Sequence, residues 1–142
     1  MLPASEQAAL TRAVRGTPVG EAFRRHWLPL LPADKAPAAG GTPVRLRALG
    51  ETLALFRDLD GRLGLVDGYC PHEGGSLASG HVVGGGVQCL LHGWTFGVDG
   101  RRVDAGARFS PPVRVSAYRA VVAGGRVWGY LGAPEACPPL PG

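Results

Sequence analysis

The chain has 142 residues, which fits one domain over residues 1–142 and leaves no room for a second of ordinary size. It contains 23 glycines and 13 prolines, yet 45% of its residues are hydrophobic, so we expect a buried core with many tight turns. The formal net charge is +4, and the basic residues form no run interleaved with aromatic ones, which disfavours nucleic-acid binding. No apolar run is long enough to span a membrane and no signal-peptide pattern is present, so we expect a cytoplasmic protein without a membrane partner.

The predicted elements begin with two short helices, Ser5 to Arg15 and Pro18 to Trp27, because each carries a residue suited to a helix start. Further along, apolar segments separated by glycine turns, such as Gly50-Glu51, predict antiparallel strands. These strands are predicted at 44–49, 52–58, 62–69, 113–122 and 126–131. A loop-rich segment at about 68–106 divides them, and a proline-rich tail follows at 134–142. The order predicts an all-β fold with short N-terminal helices.

Cysteine and histidine residues carry the chemistry of the sequence. Cys70, Cys89 and Cys137 are an odd number, which disfavours a disulfide framework. His72 and His92 lie beside the first two, as Cys-x-His and Cys-x-x-His. Zinc would accept these four ligands as a tetrahedral set, and a 2Fe-2S cluster would take both cysteines on one iron and both histidines on the other. Because each loop contributes one cysteine and one histidine, unlike zinc fingers, the spacing favours the iron–sulfur cluster.

The segments CPHEGGSL and CLLHGWTF resemble the ligand loops of Rieske proteins, Cys-Pro-His and Cys-x-x-His-Gly-Trp. With GTPVGEAFRRHWLPL and the closing VSAYRAVVAGGRVWGYLGAPEACPPLP, nearly the whole chain is similar to the N-terminal domain of Rieske non-haem iron oxygenases of the phthalate-dioxygenase and vanillate-demethylase kind. The resemblance implies Cys70 and Cys89 as thiolate ligands of the buried iron and His72 and His92 as imidazole ligands of the outer iron. It also implies three antiparallel sheets, with a cluster-binding lobe at about 67–106 inserted into a base domain.

Rieske proteins of cytochrome bc-type complexes resemble this chain in their ligand loops, but they carry an extra cysteine in each and hydroxyl groups that donate to the cluster sulfurs. Residues 73–88 contain no cysteine, and Trp94 and Phe96 follow the second loop, where we expect them to fill core and shield the cluster. Fewer donors stabilise the reduced cluster less, so we expect a midpoint potential toward the low end of the range of ~−150 to +300 mV for Rieske centres. Gly93 is expected where a Cβ would crowd the loop, and Glu73, where many relatives have Arg, bears on partner choice.

Oxygenases of this family also need a mononuclear iron, held by two histidines and a carboxylate in a separate C-terminal domain. The remaining histidines, His26 and His81, belong to no such motif. We therefore expect no catalytic residue in this chain, but a free-standing carrier or subunit that takes electrons from a reductase or ferredoxin and delivers them to a non-haem iron oxygenase. Met1 favours this interpretation. The alternatives are the N-terminal electron-entry domain of a longer ring-hydroxylating or demethylating oxygenase and a zinc-stabilised module.

Overall fold

The computed structural model describes residues 26–71, 75–90, 93–109, 112–132 and 137–139. In these residues nine strands form two antiparallel sheets, and no helix among them is long and apolar enough to cross a membrane. The strands are β1 (Trp27–Pro32), β2 (Val44–Ala48), β3 (Glu51–Arg57), β4 (Leu63–Asp67), β5 (His81–Val83), β6 (Gly86–Gln88), β7 (Thr95–Phe96), β8 (Ala117–Ala123) and β9 (Arg126–Tyr130). Three 3₁₀ helices lie at Ala33–Lys35, Leu77–Ser79 and Ala105–Phe109.

The strands confirm the predicted all-β class. The larger sheet has the order β1-β9-β8-β4-β3-β2, and the smaller one has the order β5-β6-β7. β8 joins two halves of the larger sheet, because Ala117 and Tyr118 pair with β4 while the residues from Arg119 onward pair with β9. The expected three sheets therefore correspond to β2-β3-β4, β1-β9-β8 and β5-β6-β7, of which the first two merge along β8.

Strand β3 lies between two hydrophobic clusters. Because successive side chains of a strand point to opposite faces, Leu53 and Leu55 enter one cluster and Ala54 and Phe56 enter the other. The first cluster packs the base of the molecule. The second extends under the smaller sheet and includes both Cys70 and Cys89. One strand of the base thus supports the part of the chain that carries the predicted ligands.

The turn between β2 and β3 falls one residue earlier than predicted. Leu49 and Gly50 occupy the two loop positions with φ angles of 50° and 80°, and Ala48 pairs directly with Glu51. Two consecutive positive φ angles are typical of the two-residue hairpin turns that match strand twist. Glu51 is therefore a strand residue, and its carboxylate accepts a hydrogen bond from the hydroxyl of Tyr118 at 2.9 Å.

The sequence did not predict β1. Trp27, the last residue of the second predicted helix, instead pairs with Tyr130 at the start of this strand, so the prediction is wrong at its end. The strand contains Pro29 and Pro32, which argue against a central strand, but β1 lies at the edge of its sheet and its register shifts just after Pro29. The helix predicted at Ser5 to Arg15 and the earlier part of the second one lie outside the described residues.

The proline-rich tail at 134–142 is described at 137–139 alone. There the carbonyl of Pro138 accepts a hydrogen bond from the indole Nε1 of Trp27 at 3.0 Å. The thiol of Cys137 is half-buried and donates to the same carbonyl at 3.7 Å. This part of the tail is thus attached to the edge strand.

Candidate metal centre

The second predicted ligand loop connects β6 to β7. Gln88 pairs with Thr95, so the chain must reverse between Cys89 and Trp94. The backbone N–H of Cys89 donates to the carbonyl of Trp94 at 2.8 Å, and the N–H of Gly93 donates to the carbonyl of Cys89 at 3.1 Å. These bonds close the loop at its base and fix the backbone of Cys89.

The first predicted ligand loop follows β4 and is closed in a similar way. The N–H of Cys70 donates to the carbonyl of Gly75 at 2.7 Å, and Tyr69 forms an isolated antiparallel bridge with Ser76. The N–H of Leu77 reaches back to the carbonyl of Gly68 at 2.8 Å. A backbone ladder therefore fixes Cys70 as well.

Both loops bring a buried cysteine into the same apolar cluster. Cys70 and Cys89 are each 2% exposed and neither forms a disulfide. Thiolates are strong ligands for iron–sulfur clusters, so two buried thiols on neighbouring closed loops fit the cysteine half of a Rieske site. His72 and His92 lie outside the described residues, as does Glu73, and the four-ligand set remains a prediction. Within the described ranges no three Cys, His, Asp or Glu residues form a metal-binding group.

The aromatic residues after the second loop confirm the expectation that they fill core. Phe96 is fully buried in the cluster that contains the two cysteines, and Trp94 packs against it while half-buried. Gly93 has a φ of +76°, which explains why a glycine stands there. A Cβ at Gly93 would meet, among the described atoms, the Nε2 of Gln88 at an ordinary 3.7 Å, and the expected crowding of the cluster loop stays a prediction.

An arginine and an aspartate beside the second loop were missed by the sequence reasoning. Nε of Arg102 donates to Oδ1 of Asp104 at 2.8 Å, and Nη2 donates to Oδ2 at 3.0 Å. This hydrogen bond is the main reason that the pKa of Asp104 is lowered and that of Arg102 is raised. The guanidinium carbon also lies 3.8 Å from the ring centroid of Trp94. The sequence signal was the Arg-x-Asp spacing, which places both side chains on one face of an extended segment.

The fold and the two closed cysteine loops agree with the family comparison. Residues 26–116 match the family described as the Rieske [2Fe-2S] domain, and the chain belongs to that family. Its cofactor is a Rieske-type 2Fe-2S cluster.

This Rieske domain is homologous to the oxygenase subunits of Rieske non-haem iron oxygenases. It is 41% identical to the oxygenase subunit of phthalate 4,5-dioxygenase from Pseudomonas putida, over 97% of this chain and 33% of the relative. It is 37% identical to the 5,5'-dehydrodivanillate O-demethylase oxygenase subunit from Sphingobium sp. (strain NBRC 103272 / SYK-6), over 99% of this chain and 34% of the relative. The crystal structure of apo dicamba monooxygenase superposes with a TM-score of 0.74 at 26% identity, over 84% of this chain and 38% of that one.

The chain thus spans about a third of the length of the curated relatives it matches. These relatives are oxygenase subunits rather than isolated carriers. The findings therefore favour the alternative interpretation, an oxygenase domain, over the free-standing carrier predicted from the sequence.

Proposed function

We propose that this chain is the electron-entry domain of a Rieske non-haem iron oxygenase, and that Cys70, His72, Cys89 and His92 hold its cluster. The observation that carries the proposal is the burial of two cysteines, from two separately closed loops, in one apolar cluster of a Rieske-family chain. When bound, the 2Fe-2S cluster supplies transfer of one electron at a time. No residue of this chain is assigned a catalytic role.

The arrangement of the lobe supports a division between a buried and an outer side of the cluster. Cys70 and Cys89 belong to the core, whereas Tyr69 and Leu90, the residues directly beside them, are exposed large apolar side chains. We propose that the outer iron, with His72 and His92, faces the surface marked by this apolar pair. That surface is the docking edge at which electrons enter and leave, within a lobe of about 67–106.

The electron path implies partners on both sides. A reductase or a ferredoxin would supply the electrons, and a mononuclear iron site in a catalytic domain would receive them, in the cytoplasm. Relatives of this chain are named for phthalate, 3-chlorobenzoate and 5,5'-dehydrodivanillate. We propose that the complete oxygenase hydroxylates or demethylates an aromatic acid of this kind.

Spectroscopy of the purified protein tests the cluster and its ligands. The chain is purified under low oxygen, its iron, sulfide and zinc contents are measured, and EPR spectra are recorded after reduction with dithionite. We expect two irons and two sulfides per chain and the low average g value that histidine ligation gives a 2Fe-2S cluster. A colourless, zinc-containing and EPR-silent protein would instead establish the zinc-stabilised module.

A separate experiment distinguishes an oxygenase domain from an isolated carrier. The DNA downstream of codon 142 is sequenced in the source genome. We expect the reading frame to continue into a segment with two histidines and a carboxylate at ligand spacing. A stop codon at that point, together with oxygenase activity only when a separate terminal component is added, would support the carrier instead.

A further inference from the structure

Arg102 and Asp104 form a largely buried ion pair in the lobe. Their side chains are 8% and 17% exposed, and two parallel hydrogen bonds of 2.8 and 3.0 Å join them. The neighbouring Arg101 is much more exposed to solvent. Its side chain is 70% exposed and lies 4.0 Å from the exposed carboxylate of Asp99. Removing an ion pair from water costs free energy that its own attraction often fails to offset. A buried pair in this position therefore calls for a role beyond stability.

The pair is connected to the second ligand loop on both sides. Oδ1 of Asp104 accepts a hydrogen bond from the N–H of Thr95 at 3.1 Å. The guanidinium of Arg102 stacks on Trp94 at 3.8 Å, and the carbonyl of Trp94 holds the N–H of Cys89. Since both contacts act on consecutive residues at the base of the loop, the pair holds the charge of Arg102 at a fixed place beside it.

The charge of Arg102 also reaches the first loop. The pKa of Arg102 is raised, first by its hydrogen bond to Asp104, and attraction to the negative charge of Cys70 adds to the shift. Arg102 is bridged to Phe96, which packs in the same cluster as the two cysteines. The cation of Arg102 therefore lies beside the base of the second loop and attracts the negative charge of Cys70 in the first loop.

We propose that Arg102 is a positioning residue that sets the reduction potential of the cluster, and that Asp104 both anchors it and offsets part of its charge. This inference rests on the proposed function, which places the cluster at Cys70 and Cys89. On reduction, the cluster gains one electron from the reductase, no bond forms or breaks, and Arg102 and Asp104 keep their charges. A nearby cation stabilises the added negative charge and raises the potential.

The test measures midpoint potentials of the cluster-containing protein by dithionite titration followed by EPR. Three variants are compared with the wild type: Arg102→Met, Asp104→Asn and the matched control Arg101→Met. Arg102→Met removes the buried cation and is expected to lower the potential. Asp104→Asn leaves that cation less neutralised and is expected to raise it. Arg101→Met removes the same charge from an exposed position, where water and salt screen it, and is expected to leave the potential unchanged.

The opposite signs separate an electrostatic role from a structural one. A pair that only held the loop would shift the potential in the same direction in both variants, and this result would overturn the proposal. An unchanged potential in Arg102→Met would overturn it as well, as would loss of the cluster in both variants while Arg101→Met retains it. If the wild type lacks a Rieske EPR signal, the proposed function itself fails. If the wild type has the signal but the midpoint potentials of the variants equal its own, only the role of Arg102 is contradicted.

Discussion

The base and the lobe of this protein are stabilised in different ways. In the base, β3 has seven residues and pairs with a neighbour on each side, and two apolar clusters cover its faces. In the lobe, the strands have only two or three residues. Turns, backbone ladders and the ion pair of Arg102 and Asp104 stabilise it instead. Short strands are marginal without additional contacts. The base is therefore a support, whereas we expect the lobe to be completed by its cofactor.

The two regions meet at one apolar cluster. Phe56 of β3 and Phe96 of β7 are both fully buried in it, together with the two cysteines. A methyl group added at Gly86 in β6 would overlap the carbonyl oxygen of Phe96, so the backbones of the lobe approach closely over this cluster. The base therefore positions the two cysteines that are proposed as sulfur ligands.

The largest effect is expected from the buried cysteines. Replacing Cys70 or Cys89 with serine removes a thiolate ligand and is expected to abolish the cluster and its visible absorption. Cys137→Ser is the matched control, since this half-buried thiol lies in the tail and is expected to leave iron content unchanged. The measurement is iron and sulfide per chain. Full iron content in Cys70→Ser would show that the ligand assignment is wrong.

A core truncation in the base is expected to have the next largest effect. Leu55 is fully buried between β2 and β4, so Leu55→Ala is expected to lower the free energy of unfolding by about 2–5 kcal/mol. Leu59→Ala, at a position 58% exposed, serves as the control and is expected to change it by less than about 0.5 kcal/mol. Urea unfolding followed by circular dichroism measures both. Equal effects would contradict the description of the base as the supporting core.

Removing the cluster is expected to loosen the lobe while the base stays folded. Metal binding and local folding are linked, so iron chelation is expected to increase amide hydrogen exchange in 81–96 by about tenfold, which corresponds to about 1.4 kcal/mol. The amides of β3 are expected to keep their protection. Hydrogen exchange with mass spectrometry compares the two regions in one sample. A uniform rise across both would mean that base and lobe unfold as one unit.

Much of the base could be predicted from the sequence, because its physical signals are local. β2 alternates apolar and basic residues, and the double glycine at 124 and 125, with φ angles of 58° and 75°, marks the turn between β8 and β9. β8 was predicted from 113 but begins at Ala117. The residues before it bond instead to the lobe, where Val115 donates to the carbonyl of Gly100 at 2.8 Å. Such a change of partner depends on tertiary contacts that no local pattern contains.

The residues of the candidate site also fall into those predictable from local sequence and those that depend on tertiary contacts. The cysteines were predicted because ligand chemistry restricts residue type and spacing, and the structure buries both of them. Arg102 was missed because the sequence shows it only as one of several scattered arginines. Its contact with Trp94 is visible only in the folded structure. β1 was missed because its prolines are unfavourable in a central strand, and its position at the sheet edge follows only from pairing with β9. In each case the missing information was the long-range partner.

The smallest expected effect concerns the pH dependence of the buried ion pair. The pKa of Asp104 is lowered by its hydrogen bond to Arg102, so the ionised carboxylate stabilises the folded state above the ordinary carboxyl pKa of 3.8. This contribution is lost as the pH falls through the lowered value. Asp104→Asn is expected to be less stable than the wild type by about 1 kcal/mol at pH 7, with the difference narrowing below about pH 4. Urea midpoints from pH 7 to pH 4 and below measure this difference. Asp99→Asn, at an exposed carboxylate, is the control. If the stability difference between wild type and Asp104→Asn widened in acid, the pair would not stabilise the lobe through its charge.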